Sequence, residues 1–139
     1  MYYLYKMIKP DFKALQSLLS EPKKIAIIPH RNPDGDAIGS TLALQEYLSQ
    51  LGHESQVVSP NQAPDFLHWM PGFHQIINFE RQNDLAQEII ANAQLIFTLD
   101  FNHLNRVGDV MQASLEAAEG SFVMIDHHET TEVQDIQET

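Results

Sequence analysis

Lys24-Ile25-Ala26-Ile27-Ile28-Pro29-His30-Arg31-Asn32-Pro33-Asp34-Gly35-Asp36-Ala37-Ile38-Gly39-Ser40 is the stretch whose reading decides the fold. Lys24 to Pro29 reads as a buried strand, a short apolar run followed at once by turn-forming residues. Gly35 permits a sharp turn, and Asp36 to Leu51 reads as a helix that Gly52 ends. A strand, a turn and a helix in that order make a βα unit.

The rest of the chain repeats this alternation. Upstream, Pro10 at a first-turn position opens a predicted helix to about Leu19. Downstream, strands are predicted at Gln56 to Ser59, Gln75 to Phe79, Leu95 to Leu99 and Phe122 to Ile125. A short helical turn is expected over Pro64 to Met70 and helices over Asp84 to Ala93 and Leu104 to Glu119. The last continues despite Gly108 and is stopped by Gly120. The predicted class is α/β: a doubly wound, mainly parallel sheet of about five strands with helices on both faces. In such sheets ligands sit beyond the carboxyl ends of the strands.

Three groups of polar residues fall at that edge. His30 to Gly39 follows the first of these strands, Asp100 ends Leu95 to Leu99, and Asp126-His127-His128 follows Phe122 to Ile125. Carboxylates and imidazoles are the oxygen and nitrogen ligands that manganese or magnesium takes, and with no cysteine in the chain there is no thiolate to compete. Asp34 and Asp36 flank Gly35 at the start of a helix whose amide dipoles favour negative charge. A plainer reading makes Pro33-Asp34-Gly35-Asp36 a turn with Asp36 as helix cap, and Asp100 a cap after its strand. Convergence of all three groups on one edge favours a metal site and metal-assisted hydrolysis of a phosphate ester.

Composition limits the partners. The 139 residues, 43% of them hydrophobic, fit one compact domain. A net charge of −11 opposes a broad basic face for long duplex nucleic acid, and only Arg81 and Arg106 among the basic residues lie beyond Arg31. Any nucleic-acid substrate should therefore be short, with metal ions neutralising much of its charge. No run has signal-peptide or membrane-spanning character, so a cytoplasmic location is expected and no membrane partner. The oligomeric state is not readable.

His30, Pro33, Asp34, Asp36, Ala37, Gly39 and Ser40, then Asp100, then Asp126-His127-His128, resemble in this order the three motifs of the DHH-family phosphoesterases, over about Lys23 to His128. Asn32 to Ser40 looks most like the small RecJ-like oligoribonucleases that also dephosphorylate 3′-phosphoadenosine 5′-phosphate. The resemblance implies two manganese ions, or magnesium in their place. His30, Asp34 and Asp100 would hold one; Asp36, the shared Asp100 and His127 would contribute to the other. It also implies that His128 acts on the scissile phosphate or the leaving group, that Asp126 orients a neighbouring imidazole as an outer partner, and that Arg106 reaches a substrate phosphate, the alternative for Arg106 being a solvated helix residue. The implied substrates are very short single-stranded RNA, cut from its 3′ end, and nucleoside bisphosphates. Alternatives are a phosphohydrolase of cyclic dinucleotides, polyphosphate or pyrophosphate, or a non-catalytic metal- or nucleotide-binding module.

Relatives usually carry a further aspartate ligand and a DHH-associated substrate domain beyond the third motif. No match to these follows His128, so residues 1 to 139 are expected to be a truncated catalytic domain with poor activity. His103 is expected at the periphery of the site, and His53, His68 and His74 to be structural. Phe66, Leu67, Trp69 and Met70 are expected to plug a loop, with base stacking as the alternative. Glu129, Glu132, Asp135 and Glu138 are expected to be a solvated end.

Overall fold

A computed structural model describes residues 2–5 and 12–126. The elements run β1 (Tyr2–Tyr5), α1 (Phe12–Leu18), β2 (Lys24–Ile28), α2 (Gly35–Gln50), β3 (Glu54–Ser59), β4 (Ile77–Asn78), α3 (Asn83–Asn92), β5 (Leu95–Leu99), α4 (Asp109–Ala117) and β6 (Ser121–Asp126). Single 3-10 turns cover Asp65–Leu67, Phe73–Gln75 and Leu104–Val107.

The sheet has six strands in the order β1-β6-β5-β2-β3-β4, and every pairing is parallel. Parallel central strands need cover on both faces, and β2 and β5 are accordingly apolar almost throughout, with Ile25 to Ile28 and Leu95 to Leu99 buried. Their side chains alternate between two cores. Ile25, Ile27, Leu95 and Phe97 pack with Ile38, Leu42 and Leu48 of α2, against which Leu15 and Leu18 of α1 also lie. Ala26, Ile28 and Ile96 pack on the other face with Ala86 and Ile90 of α3 and Met111 and Leu115 of α4. The chain builds outward from β2 to β3 and β4, then returns to the other side of β2 as β5 and continues to β6. The strand order therefore reverses between β2 and β5, whose carboxyl ends border the crevice where such folds bind ligands.

Three sequence expectations change. The sheet is wholly parallel and gains β1, a short aromatic segment whose pairing with β6 in the register Tyr2↔Val123 spans most of the chain. The helix expected over Leu104 to Glu119 is two pieces, because Gly108 takes φ 87° and ψ 160°, a backbone conformation essentially confined to glycine, between the 3-10 turn and α4. Gly120 does not stop that helix, which ends at Ala117 with Ala118 already extended. Its hydrogen faces the carbonyl oxygen of Ala93, where a Cβ would collide with backbone. Gly52 does follow α2 as expected, at φ 94° with its N–H donating to the Ser49 carbonyl. Pro10, proposed to open the first helix, and the acidic residues from Glu129 onward lie outside the described residues. Among the described residues no helix is long and apolar enough to cross a membrane.

Candidate metal centre

His30 stands just beyond β2, nearly enclosed at 8% exposure. Its Nδ1 lies 2.8 Å from the Arg31 carbonyl oxygen. A carbonyl only accepts, so Nδ1 carries a proton, and in the neutral ring Nε2 then presents its lone pair. That Nε2 is 3.5 Å from Oδ2 of Asp100 and 4.0 Å from Oδ1 of Asp34. One ligand atom from each of the three residues can be chosen so that all lie within 4.8 Å of one another.

Asp34 is the N-cap of α2. Its backbone is extended (φ −92°, ψ −175°), and its Oδ1 accepts the Ala37 N–H at 2.9 Å. The capping role weighed for Asp36 thus belongs to Asp34, and Asp36 lies in the first helical turn, where the helix dipole favours its charge. Capping leaves Asp34 largely open, with its side chain 64% exposed. Asp100 is the opposite case: its side chain is 6% exposed. It adopts φ 67°, and its N–H donates to the Ile125 carbonyl at 3.0 Å. Asn32, at φ 54°, is the other described non-glycine residue with positive φ. Both sit at this edge, where sparsely populated backbone is held by its surroundings.

The loop between β2 and α2 is fastened from three sides. Arg31 donates its N–H to the Arg106 carbonyl at 2.7 Å and pairs through Nη1 with Glu80 at 3.0 Å. Asn32 donates its N–H to Asn61 Oδ1 at 2.8 Å, and Asn61 Nδ2 donates back to Asn32 Oδ1 at 2.7 Å. Asn61 and Glu80 are 29 and 49 residues from their partners, so local pattern carried no signal of either contact.

A cavity of about 290 Å³ adjoins the cluster, lined by Asp36, Ser40, Leu44, Leu99, Asp100, Ile125 and Asp126. Asp100 therefore faces His30 and Asp34 on one side and shares this cavity with Asp36 and Asp126 on the other. Asp126 is buried at the end of β6. His127 and His128, assigned from the sequence to the second ion and to the substrate, lie outside the described residues. Arg106 is exposed on its 3-10 turn, and what it brings to the loop is its carbonyl.

The remaining histidines have local duties. His103 Nδ1 accepts from Asn105 N–H as cap of the 3-10 turn. Nδ1 of exposed His68 bonds the Asp65 carbonyl, and His74 lies edge-on to Phe73. His53 is buried at the other end of the sheet.

The donor set suits a divalent cation. Two ligands about 2.1 Å from one ion can be no more than about 4.2 Å apart, and both distances from His30 Nε2 meet that limit. Asp100, nearly enclosed, shares its surroundings with further acids, whose mutual repulsion a divalent cation would offset.

The model of the DHH family, N-terminal domain, matches residues 24–139. The bifunctional oligoribonuclease and PAP phosphatase NrnA of Thermus thermophilus is 36% identical over 106 residues, which are 76% of this chain and 28% of that protein. An exopolyphosphatase-related protein from Bacteroides fragilis superposes with a TM-score of 0.82 at 40% identity, covering 85% of this chain and 34% of the other. The chain thus spans about a third or less of the length of these relatives.

Proposed function

The chain belongs to the DHH family, and from that premise we propose that it is the metal-holding catalytic domain of a manganese-dependent phosphoesterase acting on very short RNA from the 3′ end and on 3′-phosphoadenosine 5′-phosphate. The observation that carries this reading is the approach of His30, Asp34 and Asp100 from the ends of β2 and β5 to within 4.8 Å at the point where strand order reverses.

In this reading His30, Asp34 and Asp100 hold one manganese. Asp36, Asp100 and His127 contribute to a second, with Asp126 behind a neighbouring imidazole, and magnesium is the alternative metal. Two such ions, when bound, would neutralise charge at the phosphate and favour an in-line displacement. The chain's own residues prepare the site. The Arg31 carbonyl keeps the proton on His30 Nδ1, which leaves Nε2 available as a ligand. Asp34 is oriented by its bond to Ala37, and Asp100 is held by its tie to β6. His128 and Arg106 are assigned to the substrate phosphate and His128 also to the leaving group; no protein nucleophile is needed.

The substrates are those in the name of the Thermus protein. The net charge of −11 supports short substrates over long duplexes, which require many cationic contacts. A base-free substrate, polyphosphate or pyrophosphate, is the second reading, favoured by the exopolyphosphatase-related neighbour. With manganese present, a diribonucleotide and 3′-phosphoadenosine 5′-phosphate should be hydrolysed faster than long duplex DNA and faster than pyrophosphate. Pyrophosphate turning over much faster than either nucleotide would replace the first reading with the second.

A further inference from the structure

The segment after β3 departs from the expectation of a hydrophobic plug. Leu67 is buried at 4% exposure and Met70 is half-buried, but Phe66 is 72% and Trp69 68% exposed. The backbone explains the division. Leu67, His68 and Met70 donate their N–H groups to the carbonyls three residues back, at Pro64, Asp65 and Leu67, and in that geometry side chains at i and i+3 superimpose. Leu67 and Met70 thus form the inner row, and Phe66 and Trp69 form an outer row on the solvent side.

The inner row is seated on the helix that begins the metal centre. A Cβ placed on Gly35 would lie 3.9 Å from Leu67 Cδ2, and one on Gly39 would lie 3.9 Å from Met70 Cε. Gly35 separates Asp34 from Asp36, and Gly39 is three residues beyond Asp36, on the same helical face. An open groove of about 530 Å³ runs between α2 and this segment, with Gly39, Leu42, Glu46, Trp69, Met70 and Gln75 among its walls. Its first α2 residue, Gly39, lies about one helical turn beyond Asp36.

We propose that Phe66 and Trp69 form the platform on which a nucleobase of the substrate stacks while its phosphate lies at the His30–Asp34–Asp100 cluster. This rests on the phosphoesterase reading and selects the base-bearing substrates within it. Charge favours a base as occupant: the edge is acidic, and a neutral ring is the part of a nucleotide that needs no cation there. Area disfavours a second copy of the chain. Aromatic side chains offer 150–250 Å² each, so the exposed parts of these two present roughly 300 Å², against about 800 Å² per partner in a stable interface. The exposed Tyr47 and Leu51 lie at the far end of α2, about 18 and 24 Å along its axis from Gly35, and do not extend the patch.

Trp69 is the one tryptophan in the chain, so its fluorescence reports the contact directly. A phosphorothioate-linked diadenylate should quench it saturably in the presence of magnesium, and an abasic diribonucleotide of the same charge should not. Phe66→Ala should weaken diadenylate binding by roughly 5- to 100-fold, the range that base–aromatic stacking supports. For hydrolysis, Trp69→Ala should raise KM for diadenylate by a similar factor and leave turnover of the abasic compound within twofold, while Trp69→Phe should retain most of the affinity. Equal quenching by both ligands, or a diadenylate KM unchanged in both alanine variants, overturns the platform. So does sedimentation showing that these variants turn a dimer into a monomer, which would make the pair a contact between copies. If the full-length wild-type protein hydrolyses neither compound, the phosphoesterase reading fails on its own, and the quenching result still decides whether a base stacks.

Discussion

His30 and His53 are both buried histidines, 8% and 6% exposed, at opposite ends of the same sheet. At the amino end, His53 Nδ1 accepts the Lys23 N–H at 3.1 Å, and Gln94 accepts the Lys24 N–H at 2.9 Å through its side chain while donating its own N–H to the Lys24 carbonyl at 2.8 Å. Polar side chains there complete the backbone where strands begin. At the carboxyl end, His30 uses one nitrogen for the backbone and turns the other toward two carboxylates. Both described non-glycine residues with positive φ, Asn32 and Asp100, lie at that end as well. Burial does not separate the two histidines; what the second nitrogen of His30 faces does.

The largest effect that would break this contrast is on metal affinity. Asp100→Asn should lower manganese affinity at least about 100-fold, since even outer partners of a metal site are worth 10- to 100-fold. His53→Gln and Asp109→Asn should stay within twofold of wild type in a calorimetric titration. A loss at His53 equal to that at Asp100 would erase the distinction between the two ends of the sheet.

Next in size is a packing effect confined to the amino end. Gly120→Ala places a methyl group against the Ala93 carbonyl, a backbone atom that cannot rotate away. Overpacking of this kind costs about 1–3 kcal/mol or more. The urea midpoint should fall accordingly, with manganese affinity of the folded protein unchanged. An unchanged midpoint would mean that β5 and β6 can separate at their starts without loss.

His53→Ala should cost about 1–2 kcal/mol, because the part-buried Lys23 N–H loses its acceptor. Denaturant unfolding measures it, and the same variant should bind manganese as wild type does. A stability equal to wild type would show that water replaces the ring and that the amino end needs no histidine.

How far the sequence was legible follows the same division. The βα unit around His30, the class of sheet and the edge at which Asp34, Asp36, Asp100 and Asp126 gather were readable, because strand, turn and helix signals there are local. The contacts that secure the site were not, since Asn61 and Glu80 join the loop through tertiary pairing alone. Gly108 and Gly120 were misread for a related reason. A glycine's sequence does not say whether it ends a helix, bends a chain or admits a neighbouring backbone, and here they perform the second and third of these tasks. β1 was missed because four residues acquire strand character only by pairing with β6 at the other end of the chain.

The smallest predicted difference separates two roles of one carboxylate. Asp34 caps α2 through Oδ1 and also faces His30. Asparagine caps as well as aspartate does, whereas alanine at an N-cap costs about 1 kcal/mol. Asp34→Asn should therefore unfold within about 0.5 kcal/mol of wild type in metal-free buffer, the small loss reflecting a weaker interaction with the helix dipole. Asp34→Ala should be about 1 kcal/mol less stable than the asparagine variant. Both should lose manganese affinity, because neither keeps the anionic ligand. Equal stability of the two variants would show that the bond to Ala37 contributes nothing net, and Asp34 would then need another source of orientation. Retained affinity in Asp34→Asn would remove Asp34 from the metal centre and leave His30 and Asp100 as its core.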